Sequence, residues 1–203
     1  MISAEESLQR LKDGNQRFVS ETRSGHVAES RRREVAAGQN PFAIILGCSD
    51  SRVPAEIVFD QGLGDLFVIR VAGNIVAPSQ IGSVEFAAAR YEVKLVVVLG
   101  HSSCGAILAT IEELGRKSEE QSRNLLSIVN RVRPSVEPLM STELRHDHDA
   151  LVQAAVRANI RASSNQLRHG SEMLEQMIQK DGVRVVGAEY SLETGVVEFF
   201  DTL

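Results

Sequence analysis

Two short segments of this chain carry side chains able to hold a metal ion: Cys48-Ser-Asp50-Ser-Arg52 and His101-Ser-Ser-Cys104. In the second, an imidazole and a thiol stand three residues apart at the expected entry to a helix. Helical positions i and i+3 share a face, so both groups reach one ion. The helix N-terminus also favours a thiolate at Cys104. Cys48 becomes a third ligand if its segment lies alongside. Two cysteines and a histidine with one open position form a ligand set of catalytic zinc, whereas structural zinc sites have four protein ligands, often in close cysteine pairs. The candidate for a fourth protein ligand is Asp50. That leaves a closed state with Asp50 on the metal and an open one with water in its place. Taken singly, a buried cysteine is more often core than ligand, and Asp50 with Arg52 reads as an ion pair stiffening a loop. The joint pattern favours the metal.

The elements that must position these residues follow from periodicity. Leu8, Leu11, Asn15 and Phe18 fall at helical spacing, predicting an amphipathic helix over 4–20. A basic helical stretch follows over 27–37, and Gly38 to Pro41 breaks it. Strands are expected at Phe42–Gly47, Leu66–Ile69, Lys94–Leu99, Val183–Tyr190 and Val196–Phe200. Gly100 is expected to end the third. Between them, Pro54 suits the first turn of a short helix through Phe59. Ser79 is a candidate cap for a helix whose Ile81, Val84, Ala88 and Tyr91 share a face. A further helix is expected from about Cys104 to Leu114. Residues 115–180 read as mostly helical, with breaks near Pro134, Pro138 and Gly170.

Apolar strands alternating with helices predict an α/β fold: a mostly parallel central sheet of four strands plus an antiparallel edge strand, flanked by helices, with an N-terminal helical arm. The whole chain, 1–203, reads as one domain, with the arm over 1–37 and the α/β core over 42–203. Ligands of such sheets bind beyond the carboxyl ends of the strands, which is where both cysteine segments fall.

Composition narrows the partners. The net charge of −5, from 22 basic and 27 acidic residues, offers no basic stripe for a nucleic-acid backbone. No apolar run approaches the length of a membrane span. The acidic start Met1-Ile-Ser-Ala-Glu-Glu is unlike a secretory signal. The expectation is a cytoplasmic protein whose two cysteines are not a disulfide.

Cys-x-Asp-x-Arg followed by His-x-x-Cys resembles the two metal motifs of the β-class carbonic anhydrases, and the resemblance runs through most of the chain. It implies Zn²⁺, one per chain, on Cys48, His101 and Cys104, with Asp50 and Arg52 as a catalytic dyad. The implied reaction is reversible hydration of carbon dioxide to bicarbonate and a proton, by attack of zinc-bound hydroxide. Gln39 matches a substrate-orienting glutamine of the plant-like branch, where it belongs to the opposite side of a dimer interface. Phe67, Ala72 and Phe86 match that branch's apolar cleft, with Phe86 where the plant-like enzymes often have tyrosine. The Gly105 amide would lie near a substrate oxygen. The resemblance also implies a homodimer or homotetramer, with the N-terminal helix packing across to a neighbour. A second branch carries a non-catalytic bicarbonate pocket built on Trp, Arg and Tyr. Arg70 and Tyr190 fall at matching places, but Ile45 stands at the tryptophan position. The open, plant-like type is therefore expected.

Zinc carrying two thiolates acidifies water less than zinc carrying neutral histidines, so an oriented acceptor is needed beside it. An ionised Asp50 accepts only, and a bidentate Arg52 would hold it ionised and off the metal. Rival readings are a hydrolase of carbon disulfide or carbonyl sulfide on the same scaffold, a cysteine nucleophile at Cys104 with His101 as base, and a silent zinc-stabilised binding domain. His26, His146, His148 and His169 are read as solvated surface groups rather than proton shuttles. Arg31-Arg-Arg33 reads as a solvated helix face or an interface patch.

Overall fold

The computed structural model describes residues 2–22, 29–114 and 122–200. Its centre is a five-stranded sheet of order β2-β1-β3-β4-β5. The strands are β1 Ala43–Gly47, β2 Leu66–Arg70, β3 Leu95–His101, β4 Arg184–Tyr190 and β5 Val197–Phe200. The first four pair in parallel, and β5 runs antiparallel along β4. β1 and β3 are buried along their whole length, as central strands covered on both faces must be.

Side-chain alternation divides the interior into two layers. Ile44, Leu46, Val96 and Val98 face a core formed with α4 Pro78–Tyr91, α5 Gly105–Leu114, α6 Arg123–Val136, α7 His148–His169 and α8 Glu172–Lys180. Ile45, Leu95, Val97 and Leu99 face the opposite core, closed by α1 Ala4–Val19 and α3 Ala55–Val58. The basic segment is helical as α2 Glu29–Glu34 and then a tighter turn over Val35–Ala37. Residues 27 and 28 of that expected helix, and His26, lie outside the described residues. Among the described residues, no helix is long and apolar enough to cross a membrane.

α1 begins with a reciprocal capping box between Ser3 and Glu6 and buries Leu8 and Leu11 against its own sheet. That stripe, expected to seek a neighbouring subunit, is filled by Phe42, Phe59 and Leu95 of the same core. Asn15 is the polar residue in it. Its side chain donates to Val58 O at 3.1 Å and Gly195 O at 2.9 Å, and accepts from Val197 N at 2.8 Å. An Asn15→Leu chain would leave unpaired the buried Val58 and Val197 backbone groups and the half-buried Gly195 carbonyl. The expected loss is about 2–4 kcal/mol, read from the denaturant midpoint at an unchanged slope.

Several boundaries differ from expectation. β3 does not stop at Gly100, because pairing with β4 continues to His101 opposite Tyr190. Gly100 serves packing instead: a Cβ there would meet Ile160 Cδ1 of α7 at 2.5 Å. Ser79 does not cap α4. Pro78, with its φ preset for a first turn, opens the helix, and Ala77 precedes it without a side-chain cap. Pro54 stands just before α3 with extended backbone, its carbonyl accepting from Ile57 N and Val58 N. Pro134 lies inside α6 rather than ending it. Gly170 does separate α7 from α8.

Candidate metal centre

The carboxyl ends of β1 and β3 lie side by side, with Gly47 opposite Leu99. Cys48 is the first residue beyond β1, and His101 is the last residue of β3. The helical i, i+3 relation expected for His101 and Cys104 is not what joins them. Ser102 and Ser103 form a turn between strand and helix, with Ser103 in the left-handed region at φ 53°. Ser102 is tied to the end of β4, its amide donating to Tyr190 O and its Oγ accepting from Leu192 N. Cys104 then immediately precedes α5, its carbonyl accepting from Ile107 N and Leu108 N. Cys104 thus stands at the helix start by a different backbone route, where the Ile107 and Ala106 amides act on its sulfur without outweighing the contact with Cys48 and burial.

Cys48 Sγ, His101 and Cys104 Sγ offer ligand atoms that all lie within 4.8 Å of one another, and all three residues are buried. The two sulfurs are 3.9 Å apart. His101 Nδ1 is 2.9 Å from Ser102 O, an arrangement that places the proton on Nδ1 and leaves the Nε2 lone pair free. Nε2 is buried without a hydrogen-bond partner among the described residues. A buried acceptor with no partner is costly unless an ion or water satisfies it. Here it faces two sulfurs in a group with the softness and number of zinc ligands. The residues fit the metal.

The sulfurs share a proton. Cys48 is drawn down to about 4, chiefly by the Cys104 thiol donating to it, against the opposing effect of burial. Cys104 is pushed up by the same contact and by its burial. Both must be thiolates to bind zinc. Loading the metal-free protein at about pH 7.5 should therefore release about one proton per chain. A pH-indicator dye in weakly buffered solution reads this directly.

Asp50 is gripped by Arg52 through two parallel contacts, Nε to Oδ1 at 2.9 Å and Nη2 to Oδ2 at 2.7 Å. The Arg52 amide adds a third at 3.0 Å. These contacts hold the Asp50 carboxyl well below the usual carboxylate range. Its Oδ2 is 3.8 Å from His101 Nε2. The carboxylate thus stands beside the three-residue group with both oxygens engaged by Arg52. Arg70, at the end of β2, spans the same loop, donating to Cys48 O at 3.0 Å and Asp50 O at 2.6 Å. Arg70 falls at the matching place of a bicarbonate pocket that is not expected here, and its guanidinium clamps the backbone that carries Cys48 and Asp50. Tyr190 is buried with its ring 6.3 Å from Phe18, and Ile45 lies in the sealed core.

Ala72 and Gly105 sit in the segments that flank the sulfurs. The other expected substrate residues lie elsewhere in the chain. Phe67 pairs with Ile44, four residues before Cys48 and so about 13 Å away along the strand. Its ring packs in a tilted arrangement against Phe86 and Tyr91, with centroids 6.2 Å and 6.1 Å away. Gln39 donates to the Tyr91 hydroxyl at 2.9 Å. Tyr91 was missed as a member of this cluster. Its helical spacing read as core, yet its hydroxyl sits in the patch where Phe86 lacks one. His146, His148 and His169 are exposed, and none belongs to the group of metal-binding side chains found among the described residues.

Residues 43–197 match the family model described as carbonic anhydrase. Over 187 residues the chain is 39% identical to carbonic anhydrase 2 of Mycobacterium tuberculosis, covering 91% of this chain and 87% of that protein. The chain belongs to the β-class carbonic anhydrase family. It is also 39% identical over 190 residues to a carbonic anhydrase of Mycolicibacterium smegmatis, covering 93% of this chain and 89% of that one. In fold it is similar to the b-carbonic anhydrase CafA of Aspergillus fumigatus, at a TM-score of 0.75 and 24% identity over 97% and 90% of the two chains. The β-carbonic anhydrase family is zinc-dependent, and the buried Cys48, His101 and Cys104 group is able to hold a metal ion.

Proposed function

We propose that this chain catalyses the reversible hydration of carbon dioxide to bicarbonate and a proton at the end of β1 and β3. Cys48, His101 and Cys104 are the zinc ligands, and Asp50 with Arg52 is the catalytic pair. The observation that carries this reading is the buried His101 Nε2, without a hydrogen-bond partner among the described residues, grouped with two sulfurs within 4.8 Å and with an Arg52-held carboxylate oxygen 3.8 Å away. Zinc, when bound, supplies a Lewis acid that lowers the pKa of water.

The protein's own groups do the rest. Ser102 O fixes the His101 tautomer. Asp50, ionised and able only to accept, takes a hydrogen bond from the reacting water and so orients its lone pair. Arg52 keeps both Asp50 oxygens occupied, which supports the open arrangement. Ala72 and the Gly105 amide border the place a substrate would occupy. The occupied guanidinium of Arg70 supports the plant-like type.

Gln39, Phe67 and Phe86 are proposed to complete the site of a second copy of this chain. Supporting this are their distance from Cys48 within one chain and the 53% exposure of Phe86, a large apolar side chain. Light scattering at assay concentration should give a dimer or a larger assembly; a monomer would remove Gln39, Phe67 and Phe86 from the site. We also propose a cytoplasmic location, supported by a chain whose two cysteines are grouped with His101 as metal ligands rather than used as a disulfide framework.

The deciding measurement is stopped-flow carbon dioxide hydration from about pH 6.5 to 9, around the expected range of zinc-bound water, with zinc stoichiometry on the same sample. Activity with about one zinc per chain is expected. Zinc-loaded protein inactive throughout would overturn the reading.

A further inference from the structure

β2 leads into a tight turn over Ala72–Asn74, where Gly73 and Asn74 both have left-handed backbone, at φ 70° and 43°. The turn's first residues are fixed by the sheet: Val71 N donates to Gly47 O, and Val71 O accepts from Ser49 N and Asn74 N. Gly73 lies beyond that ladder. Its amide donates to Cys48 Sγ at 3.4 Å. On the other side of the same residue, its carbonyl accepts from Asn159 Nδ2 at 2.7 Å. Asn159 belongs to α7, 86 residues away in sequence, and is 2% exposed.

The site offers Gly73 little freedom to find this orientation by itself. A Cβ there would meet Ala106 Cβ at 3.0 Å and Val132 Cγ2 at 3.4 Å, so the turn is pressed against α5 and α6. Packing excludes a side chain but does not set the tilt of a peptide. The hydrogen bond from Asn159 fixes the peptide that follows, Gly73 C=O to Asn74 N, and so limits rotation about the Gly73 backbone, whose own amide points at the sulfur. α7 itself is seated by Ile160, which fills the space over Gly100, one residue before His101.

Together these contacts form a continuous chain: Asn159 to the Gly73 carbonyl, then the Gly73 amide to Cys48 Sγ. An amide donating to a thiolate withdraws charge from it and aims it, and groups of this kind outside the ligand set change metal affinity by about 10–100-fold. We infer that Asn159 is a positioning residue of the metal centre, holding the Gly73 amide on the Cys48 sulfur from the opposite side of the loop. This rests on the metal-binding part of the reading above, not on which substrate the centre turns over.

The test is Asn159→Leu in the full-length protein, with volume retained and donors removed. Zinc affinity is measured by competition with a chromophoric chelator. Cobalt(II)-loaded protein is examined for the thiolate-to-metal charge-transfer band. A Leu167→Ala chain, truncated in the same helix at a fully buried site, serves as the stability-matched control. Asn159→Leu should bind zinc about 10–100-fold more weakly and shift the band, while Leu167→Ala keeps both at parental values. Parental affinity and band in Asn159→Leu, or equal weakening in the control, would overturn the inference.

Should Asn159→Leu not fold, the unsubstituted protein loaded with ¹¹³Cd provides an independent reading. The Gly73 amide proton should show scalar coupling to the metal through Cys48, and its absence sinks the inference. If instead the parent protein itself fails to bind zinc, it is the proposed function that has failed.

Discussion

A Cys104→Ser chain is expected to fold, to lose its zinc and to lose more than about 100-fold in carbon dioxide hydration at any practical metal concentration. The lower bound comes from the 10–100-fold cost of disturbing a group merely outside the ligand set. Removing a ligand must exceed it. Serine keeps the shape but is not ionised at neutral pH, so it neither replaces the thiolate nor cancels charge on the metal. The fold should survive, because the chain is long enough to bury two apolar layers that owe nothing to the ion. Metal analysis, far-UV circular dichroism and stopped-flow hydration on one preparation check all three parts. Full zinc occupancy with parental turnover would remove Cys104 from the ligand set.

The second large effect separates binding from turnover. Asp50→Asn should retain about one zinc per chain yet lose roughly 10²–10³ in kcat/KM, the usual worth of one oriented hydrogen-bonding group at a reacting atom. Asparagine keeps the size of the side chain but presents an NH₂ donor where an acceptor is needed. Because Arg52 holds Asp50 below the usual carboxylate range, the group is ionised from about pH 5 upward. The loss in Asp50→Asn should therefore be of similar size across the whole assay range. The sign for stability follows the same direction. A depressed carboxylate contributes stability above its ordinary pKa of about 3.9 and gives it up as pH falls below that. Parental turnover in zinc-loaded Asp50→Asn would end the role assigned to Asp50.

The strands were legible because apolar runs bounded by glycine and proline leave few alternatives, and the two cysteine segments fell at strand ends by the same logic. What periodicity could not show was the course of a turn. His101 and Cys104 looked like helical neighbours, because spacing alone does not distinguish three residues of helix from a strand end, two serines and a helix start. Gly100 looked like a stop, because its use as a hollow for Ile160 depends on a residue 60 positions later. Arg70 could be placed by resemblance but not by contact, since its two carbonyl partners lie across a parallel strand pair. Asn159 gave no signal at all. An asparagine in a helix has no pattern of its own, and its meaning comes only from the loop that α7 happens to cross.

The three contacts of Asn15 have a consequence for the order of assembly. They join α1 to Val58, to the β4–β5 connection at Gly195 and to the start of β5 at Val197, the last two 180 and 182 residues later. Contacts of such separation are slow to form, because a long loop must close before they give any return. During synthesis the first helix emerges early, yet it cannot complete its hydrogen bonds until the last strand has emerged and paired. Until then Leu8 and Leu11 have only part of their final surroundings. α1 is thus the element that records whether the whole sheet has been built, and its docking should be the late phase of refolding.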